Sequence, residues 1–340
     1  FIPLGGSGEI GMNCNLYHYN GSWIMIDLGV MFGNSSMSPN ELIMPDLSFL
    51  YENKIKLSAL ILTHAHEDHI GAVPYLYYQL NNVPIFTTSF TASVLKRKFM
   101  SNDVKDYDIR LLDYNKQISI GEFVIEIFAL THSIPEPNAI ILKTQKGNIF
   151  HTGDWKIDPE PLIGQPIDLE KLKKIKSDGI DAMICDSTNV FDENPSGSEK
   201  EVRNVFRKIF SEKKKGKIFV TCFASNIARL ETVLKVSEEL NKSCVFAGRS
   251  IHRIFESAVE NNYLTNFKNI VSEKEARLIS DDDLVVICTG SQGEENAALS
   301  KLVGGKNNNI EIYKEDLIIF SSREIPGNEK KINSLKEKLL

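Results

Sequence analysis

The stretch Leu57-Ser58-Ala59-Leu60-Ile61-Leu62-Thr63-His64-Ala65-His66-Glu67-Asp68-His69 decides how this chain is read. Its first seven residues form a short, largely apolar run that predicts a buried strand. Its last six hold three of the seven histidines of the chain together with Asp68. Imidazole and carboxylate at that density have few uses other than holding metal. The following Ile70-Gly71-Ala72-Val73-Pro74 leads into Tyr75-Leu76-Tyr77-Tyr78-Gln79-Leu80, apolar at helical spacing, with Pro74 suited to a first helical turn. The histidines are therefore predicted on a strand-to-helix loop, where His64 and His66 can point at one ion while Asp68 and His69 turn toward a second.

Two later residues complete the cluster. His132 follows a long strand directly, and Asp154 ends the turn His151-Thr152-Gly153-Asp154. A residue at the end of a strand is fixed by the sheet yet free to face a cleft, which is what a ligand needs. We assign His64, His66 and His132 to one ion, Asp68 and His69 to the other, and Asp154 to both through its two oxygens. Nitrogen and oxygen ligands in this number favour two Zn²⁺ ions, with Mn²⁺ or Mg²⁺ as alternatives. Two cations about 3.5–4 Å apart stabilise the attacking and leaving oxygens of a phosphoryl transfer, and Asp68 can take or give the proton. Asp27, also at a strand end, is expected to accept the second N–H of a ligand histidine and fix its tautomer. His18, His151 and His252 are read as packing residues.

With 340 residues, 42% hydrophobic and 25% charged, the chain suits two globular domains, and no apolar run is long enough to span a bilayer. The five cysteines at 14, 185, 222, 244 and 288 are widely spaced and form no CxxC, which points to reduced thiols and a cytoplasmic location. The chain starts at Phe1, and a trimmed N-terminus is expected. A net charge of −6 weighs against a nucleic-acid partner without excluding one. Lys96-Arg97-Lys98 and Lys213-Lys214-Lys215-Gly216-Lys217 are candidate basic patches, although a solvated helix face or turn is the stronger reading of each.

Residues 1 to about 186 alternate as short strands with tight turns, including the Asn20-Gly21 hairpin signal and Phe123–Leu130. A polar linker is expected at 192–198, and from there strands 218–223, 243–247, 284–288 and 317–320 alternate with helices 225–240 and 251–264. That pattern implies a largely parallel sheet, whose ligands bind beyond the carboxyl ends of its strands. Gly6-Ser7-Gly8-Glu9-Ile10-Gly11 matches a dinucleotide fingerprint, but a strand follows it where a helix is required, so it is taken as a glycine turn beside the metal cluster.

The cluster with His132 and Asp154 resembles the metallo-β-lactamase superfamily. The segments Pro3–Gly11, Thr131–Pro135, His151–Asp158, Cys185–Asn189, Thr289–Glu294 and Ser321–Glu329 narrow the likeness to the bacterial ribonuclease J family. The resemblance implies an α/β fold, a metallo-β-lactamase αββα sandwich over residues 1–190 with an inserted β-CASP parallel domain over 196–340. It implies a two-metal ribonuclease with 5′-to-3′ exonuclease and endonuclease action in mRNA decay and RNA maturation, RNA with a 5′-monophosphate end as substrate, and a homo-oligomer for the full-length protein. It makes Asp186 the first acidic motif of the β-CASP domain. It lines the RNA channel with Phe223, Ala224, Ser225, Asn226, Ser291, Gln292, Gly293, Ser322 and Arg323. Glu136 stands where the family carries Asp, and Glu295 where it carries Pro. The phosphate-binding loop, last histidine ligand, closing lactamase strands and C-terminal domain of the family are not in this sequence, so the chain is expected to be part of a longer protein with a weaker second metal site. The competing readings are a small thioester or lactone hydrolase of the same fold and a non-catalytic RNA-binding subunit.

Overall fold

The computed structural model describes residues 1–33, 42–307, 309–325 and 327–340; Pro326, from the Ser321–Glu329 segment, lies outside them. Two units emerge: Phe1–Pro159 with Gly164–Ser196, and Glu160–Ile163 with Gly197–Leu340.

The first unit is built on two facing sheets. One contains β1 (Ile2–Gly5), β2 (Cys14–Tyr19), β3 (Ser22–Ile26), β6 (Leu57–Ile61), β7 (Ile85–Thr87) and β8 (Ile109–Leu111), in that spatial order; β4 (Met31–Phe32) and β5 (Leu42–Ile43) form a small separate ribbon. The other sheet follows the order β13-β12-β11-β10-β9, with β9 (Ile118–Ile120), β10 (Phe123–Ala129), β11 (Asn138–Thr144), β12 (Gly147–His151) and β13 (Ala182–Ile184). Alternation of side chains along a strand explains how the sheets meet. Ile24 and Ile26 of β3, Ala59 and Ile61 of β6, Ile125 and Ile127 of β10, and Ile140 and Leu142 of β11 make one buried cluster between them. The intervening residues of the second sheet, Phe128, Ile141 and Phe150, pack on the other side under Ile175 of the helix Leu169–Ser177.

The second unit is a five-stranded parallel sheet ordered β16-β15-β17-β14-β18, from β14 (Ile218–Thr221), β15 (Ser243–Ala247), β16 (Ile270–Val271), β17 (Leu284–Cys288) and β18 (Leu317–Phe320). Its near-continuous Val and Ile runs are what a sheet covered on both faces requires. The helix Glu199–Glu212 was not read from the sequence, although its start carries a signal. Ser198 and Glu201 form a capping box at its first turn.

Two helix expectations are corrected. Residues 67–80 fold as the short helices Glu67–Ile70 and Val73–Leu76 and a 3₁₀ turn Tyr77–Leu80, closed by Asn81 in the left-handed conformation. The apolar spacing there serves burial of Val73, Tyr77 and Leu80 in separate turns. The second-domain helix placed at 251–264 runs Arg249–Glu260, because Asn262 and Leu264 have positive φ and cannot continue it.

Candidate metal centre

β3 and β6 are parallel neighbours with Ile26 opposite Ile61, so both leave the sheet at one edge. Asp27 and Thr63 meet there. Asp27 N donates to Ile61 O, Thr63 N donates to Asp27 Oδ1 at 2.8 Å, and Thr63 Oγ1 donates to Asp27 Oδ2 at 2.8 Å. Asp27 takes a positive φ of 62°, which turns residues 28–30 along the histidine loop. Leu28 N then donates to His69 O, Val30 N to Glu67 O, and Asn13 N to Asp68 O. Gly29 is obligatory, since a Cβ there would lie 1.7 Å from Asp68 O. From the second sheet, β10 and β12 both flank β11 and end at the same edge, delivering His132 and Asp154. Asn138 ties the sheets together, its N and Nδ2 both donating to Thr63 O.

The side chains converge as two sets of ligand atoms that share Asp154: His64, His66, His132 and Asp154, and Asp68, His69 and Asp154. In the first set His66 Nδ1 lies 3.0 Å from His64 Nε2 and 3.2 Å from His132 Nε2, while Asp154 Oδ2 lies 4.0 and 3.8 Å from the two Nε2 atoms. In the second, His69 Nε2 is 3.2 Å from Asp154 Oδ1 and 3.6 Å from Asp68 Oδ2. Donors about 2.0–2.2 Å from a tetrahedral ion stand about 3.3–3.6 Å apart, so both sets have the spacing that divalent cations fit.

Electrostatics agree with that fit. Burial, reinforced by neighbouring imidazoles, pushes His66 down to about 3 and His132, also buried, down to about 4; His64 is held well below the ordinary range by the same causes. These rings cannot neutralise the corner by taking protons, and present lone pairs instead. His69 differs: burial opposes its charge, but Asp154, Asp68 and Asp27 together outweigh burial and raise it well above the ordinary value. Asp154 is held well below the usual carboxylate range, its burial overcome by His69, His64 and His132.

One buried carboxylate orients both inner rings. Asp27 Oδ2 is 2.7 Å from His69 Nδ1, and Thr63 Oγ1, which donates to Asp27, is 3.0 Å from His64 Nδ1. Protons held on the two Nδ1 atoms leave both Nε2 atoms facing the cluster. Glu67 turns away to Lys98, 2.6 Å distant, which also removes that lysine from the candidate basic patch. His151 is buried between the sheets with Nδ1 2.8 Å from Tyr17 Oη.

Residues 8–154 match the metallo-β-lactamase superfamily model, and residues 215–339 match the model of the ribonuclease J β-CASP domain. The chain belongs to the β-CASP, ribonuclease J branch of the metallo-β-lactamase superfamily. It is 40% identical to ribonuclease J of Sinorhizobium meliloti over all of this chain and 61% of that protein. It is 34% identical to ribonuclease J of Helicobacter pylori strain J99 over 98% of this chain and 48% of that protein. It is 31% identical to that of Thermus thermophilus over 99% and 60%. The chain thus spans about half to three fifths of these relatives. A crystal structure of a protein of unknown function from Enterococcus faecalis V583 shares the fold, with a TM-score of 0.61 at 15% identity, over 96% of this chain and 88% of that one.

In the β-CASP unit, the carboxyl ends of the adjacent strands β17, β14 and β18 carry the loops expected to face RNA. Phe223, Ala224, Ser225 and Asn226 are partly exposed, and Asn226 Oδ1 caps the helix Ile227–Glu239 by accepting from Arg229 N. Gln292 is turned inward instead. Its Nε2 donates to Ser322 Oγ and Arg323 O, and its Oε1 accepts from Ile325 N, so it knits two loops together. Ser291 is 2% exposed and its hydroxyl has no hydrogen-bond partner among the described residues. Gly293 has φ of 74°, with the Lys331 backbone 2.6 Å from where a Cβ would be. Lys217 of the second lysine cluster is buried against Asp281, 2.9 Å away. Asp186, in the lactamase unit, accepts from Thr188 N and stands outside both ligand sets. Sequence reading missed Asn13, Thr63 and Gly29 at the cluster; only the glycine turn ahead of Asn13 hinted at them.

Proposed function

We propose that this chain carries the catalytic core of a two-metal ribonuclease that hydrolyses RNA phosphodiesters by 5′-to-3′ exonuclease and endonuclease action. The observation that carries the proposal is the convergence of two ligand sets on the one carboxylate of Asp154. Relatives of this chain are named ribonuclease J, which points to RNA as the substrate class. His64, His66, His132 and Asp154 would hold one ion, and Asp68, His69 and Asp154 the other, with Zn²⁺ favoured by the imidazole-rich set. Cations bound there supply Lewis acidity and positive charge to a phosphoryl group in transit.

The protein's own residues do the rest. Asp68, whose side chain is 34% exposed and which belongs to one ligand set only, reaches solvent and can take or return a proton. Asp27 is fully buried and acts through His69 and Thr63, as a positioning residue. The loops around Ser225, Asn226, Ser322 and Arg323 would guide the RNA, with a 5′-monophosphate end preferred, and Asp186 would support the site. Four buried thiols, an exposed Cys185 and no disulfide fit a cytoplasmic setting. Among the described residues no helix is long and apolar enough to cross a membrane.

The test is elemental analysis of the purified chain beside cleavage of matched RNAs carrying a 5′-monophosphate, 5′-triphosphate or 5′-hydroxyl. About two ions per chain and fastest loss of the monophosphate RNA are expected. A metal-free chain, or hydrolysis of a thioester with none of RNA, would overturn the proposal.

A further inference from the structure

The three rings of the four-donor corner are not held alike. His64 is backed through Nδ1, which lies 3.0 Å from Thr63 Oγ1. His66 stands between the other two rings and has Ser133 Oγ 3.5 Å from its Nε2. His132 turns Nε2 toward the cluster, and among the described residues no hydrogen bond reaches its Nδ1. Its place is therefore set by the backbone of the loop 132–137 between β10 and β11. We propose that Glu136 is a positioning residue for His132, fixing this loop by capping the helix Ser89–Ser101 with its carboxylate. The inference rests on the metal-centre reading above.

The helix takes a cap from outside itself. Thr88 occupies its N-cap without a side-chain hydrogen bond to the first turn, and that turn holds no acidic residue. Glu136, 46 residues further on, supplies the acceptor, its Oε2 accepting from Phe90 N at 2.9 Å. A carboxylate also suits the positive end of a helix. The anchor is firm, with Phe90, Val94, Leu95 and Phe99 buried along the helix. At the other end of the helix Lys98 Nζ is 2.6 Å from Glu67, between His66 and Asp68. One helix thus grips both loops that deliver rings to the first corner. The rest of the loop is fastened around Glu136. Lys156 N donates to Thr131 O at 2.9 Å, Leu130 N donates to Pro137 O at 3.0 Å, and Asn138 Nδ2 donates to Glu136 O at 2.6 Å and to Thr63 O at 3.1 Å. Glu136 has φ of 56°, a conformation that a residue with a side chain keeps only where its surroundings impose it.

The test is calorimetric titration of the metal-stripped chain with Zn²⁺, with the Tm of each metal-free variant measured beside it. Wild type is compared with Glu136→Ala and with Glu136→Gln, whose amide oxygen can still accept from Phe90 N. Asp168→Ala serves as control, since it removes the side-chain cap of a different helix, Leu169–Ser177. Both alanine variants should lower Tm. Only Glu136→Ala is expected to bind the tighter Zn²⁺ about tenfold to a hundredfold more weakly, and Glu136→Gln should regain most of that loss. Glu136→Leu, which keeps bulk without an acceptor, replaces Glu136→Ala if that variant does not fold, with the same loss expected. Wild-type affinity for the tighter ion in the variant without an acceptor would overturn the proposal. So would a Glu136→Gln variant no better than that one, or an equal loss in Asp168→Ala, which would make the effect a general loosening of the fold. Those failures leave the metal-centre reading standing, whereas a wild-type chain that binds no ion would sink that reading and this inference with it.

Discussion

The two corners around Asp154 solve the same problem differently. At His64, His66 and His132, burial keeps three imidazoles neutral, with His66 near 3 and His132 near 4. At Asp68 and His69, carboxylates outnumber the single ring and raise its proton affinity. The first corner offers neutral imidazole lone pairs that suit a cation. The second can be filled by a cation or, in its absence, by a proton on His69. Affinity and pH dependence should therefore divide along this line.

Removing the shared vertex should have the largest effect. Asp154→Ala should lower RNA cleavage about a thousandfold or more, the several kcal/mol that metal stabilisation of a phosphoryl transition state supplies, and should reduce the metal content of both corners. Near-normal cleavage with two bound ions would erase the comparison. Next, His66→Ala and His69→Ala should each lower the metal ratio from about two to about one. If either variant lost both ions, the corners would be one cooperative unit.

A smaller change tests what stands behind the second corner. Asp27→Asn keeps the shape of the side chain but removes the charge that holds the Nδ1 proton of His69. Metal affinity at the second corner should fall about tenfold to a hundredfold. The first corner should change less, because Asp27 reaches His64 only through Thr63.

Acid should separate the corners without mutation. His69 is raised, so in the metal-free chain it holds a proton below its own pKa, and the second ion must displace that proton on binding. As pH falls through and below neutrality the second ion should dissociate first, by up to about tenfold in affinity per pH unit for one proton displaced. The first ion should persist until pH approaches the values of His66 and His132, about 3 and about 4. Simultaneous release of both ions in a pH titration followed by elemental analysis would contradict the assignment. The smallest effect expected is on stability. Gly29→Ala must move the Asp68 carbonyl that a Cβ would strike, and should cost about 1–3 kcal/mol, read as a lower Tm.

Local sequence determined a good deal. His64, His66, Asp68 and His69 are legible because a strand end followed by a short loop brings residues of neighbouring number to one place. His132 and Asp154 could be suspected because strand ends are where a sheet fixes a side chain while leaving it free to face outward. The Val- and Ile-rich strands of the second unit announced a parallel sheet for the same reason, that burial on both faces writes itself into every residue. Tertiary structure alone decided the rest. Asn13, Gly29 and Thr63 act through backbone and side-chain contacts with segments distant in sequence, and nothing about an asparagine beside a cysteine or a glycine after a leucine announces such a partner. The resemblance places Gln292 in the lining of the RNA channel, but the fold draws its amide inside, where it joins two loops. Residue type and spacing state what chemistry a chain can offer, whereas which atoms meet, and which polar groups are buried when they do, depends on how the sheets bring their edges together.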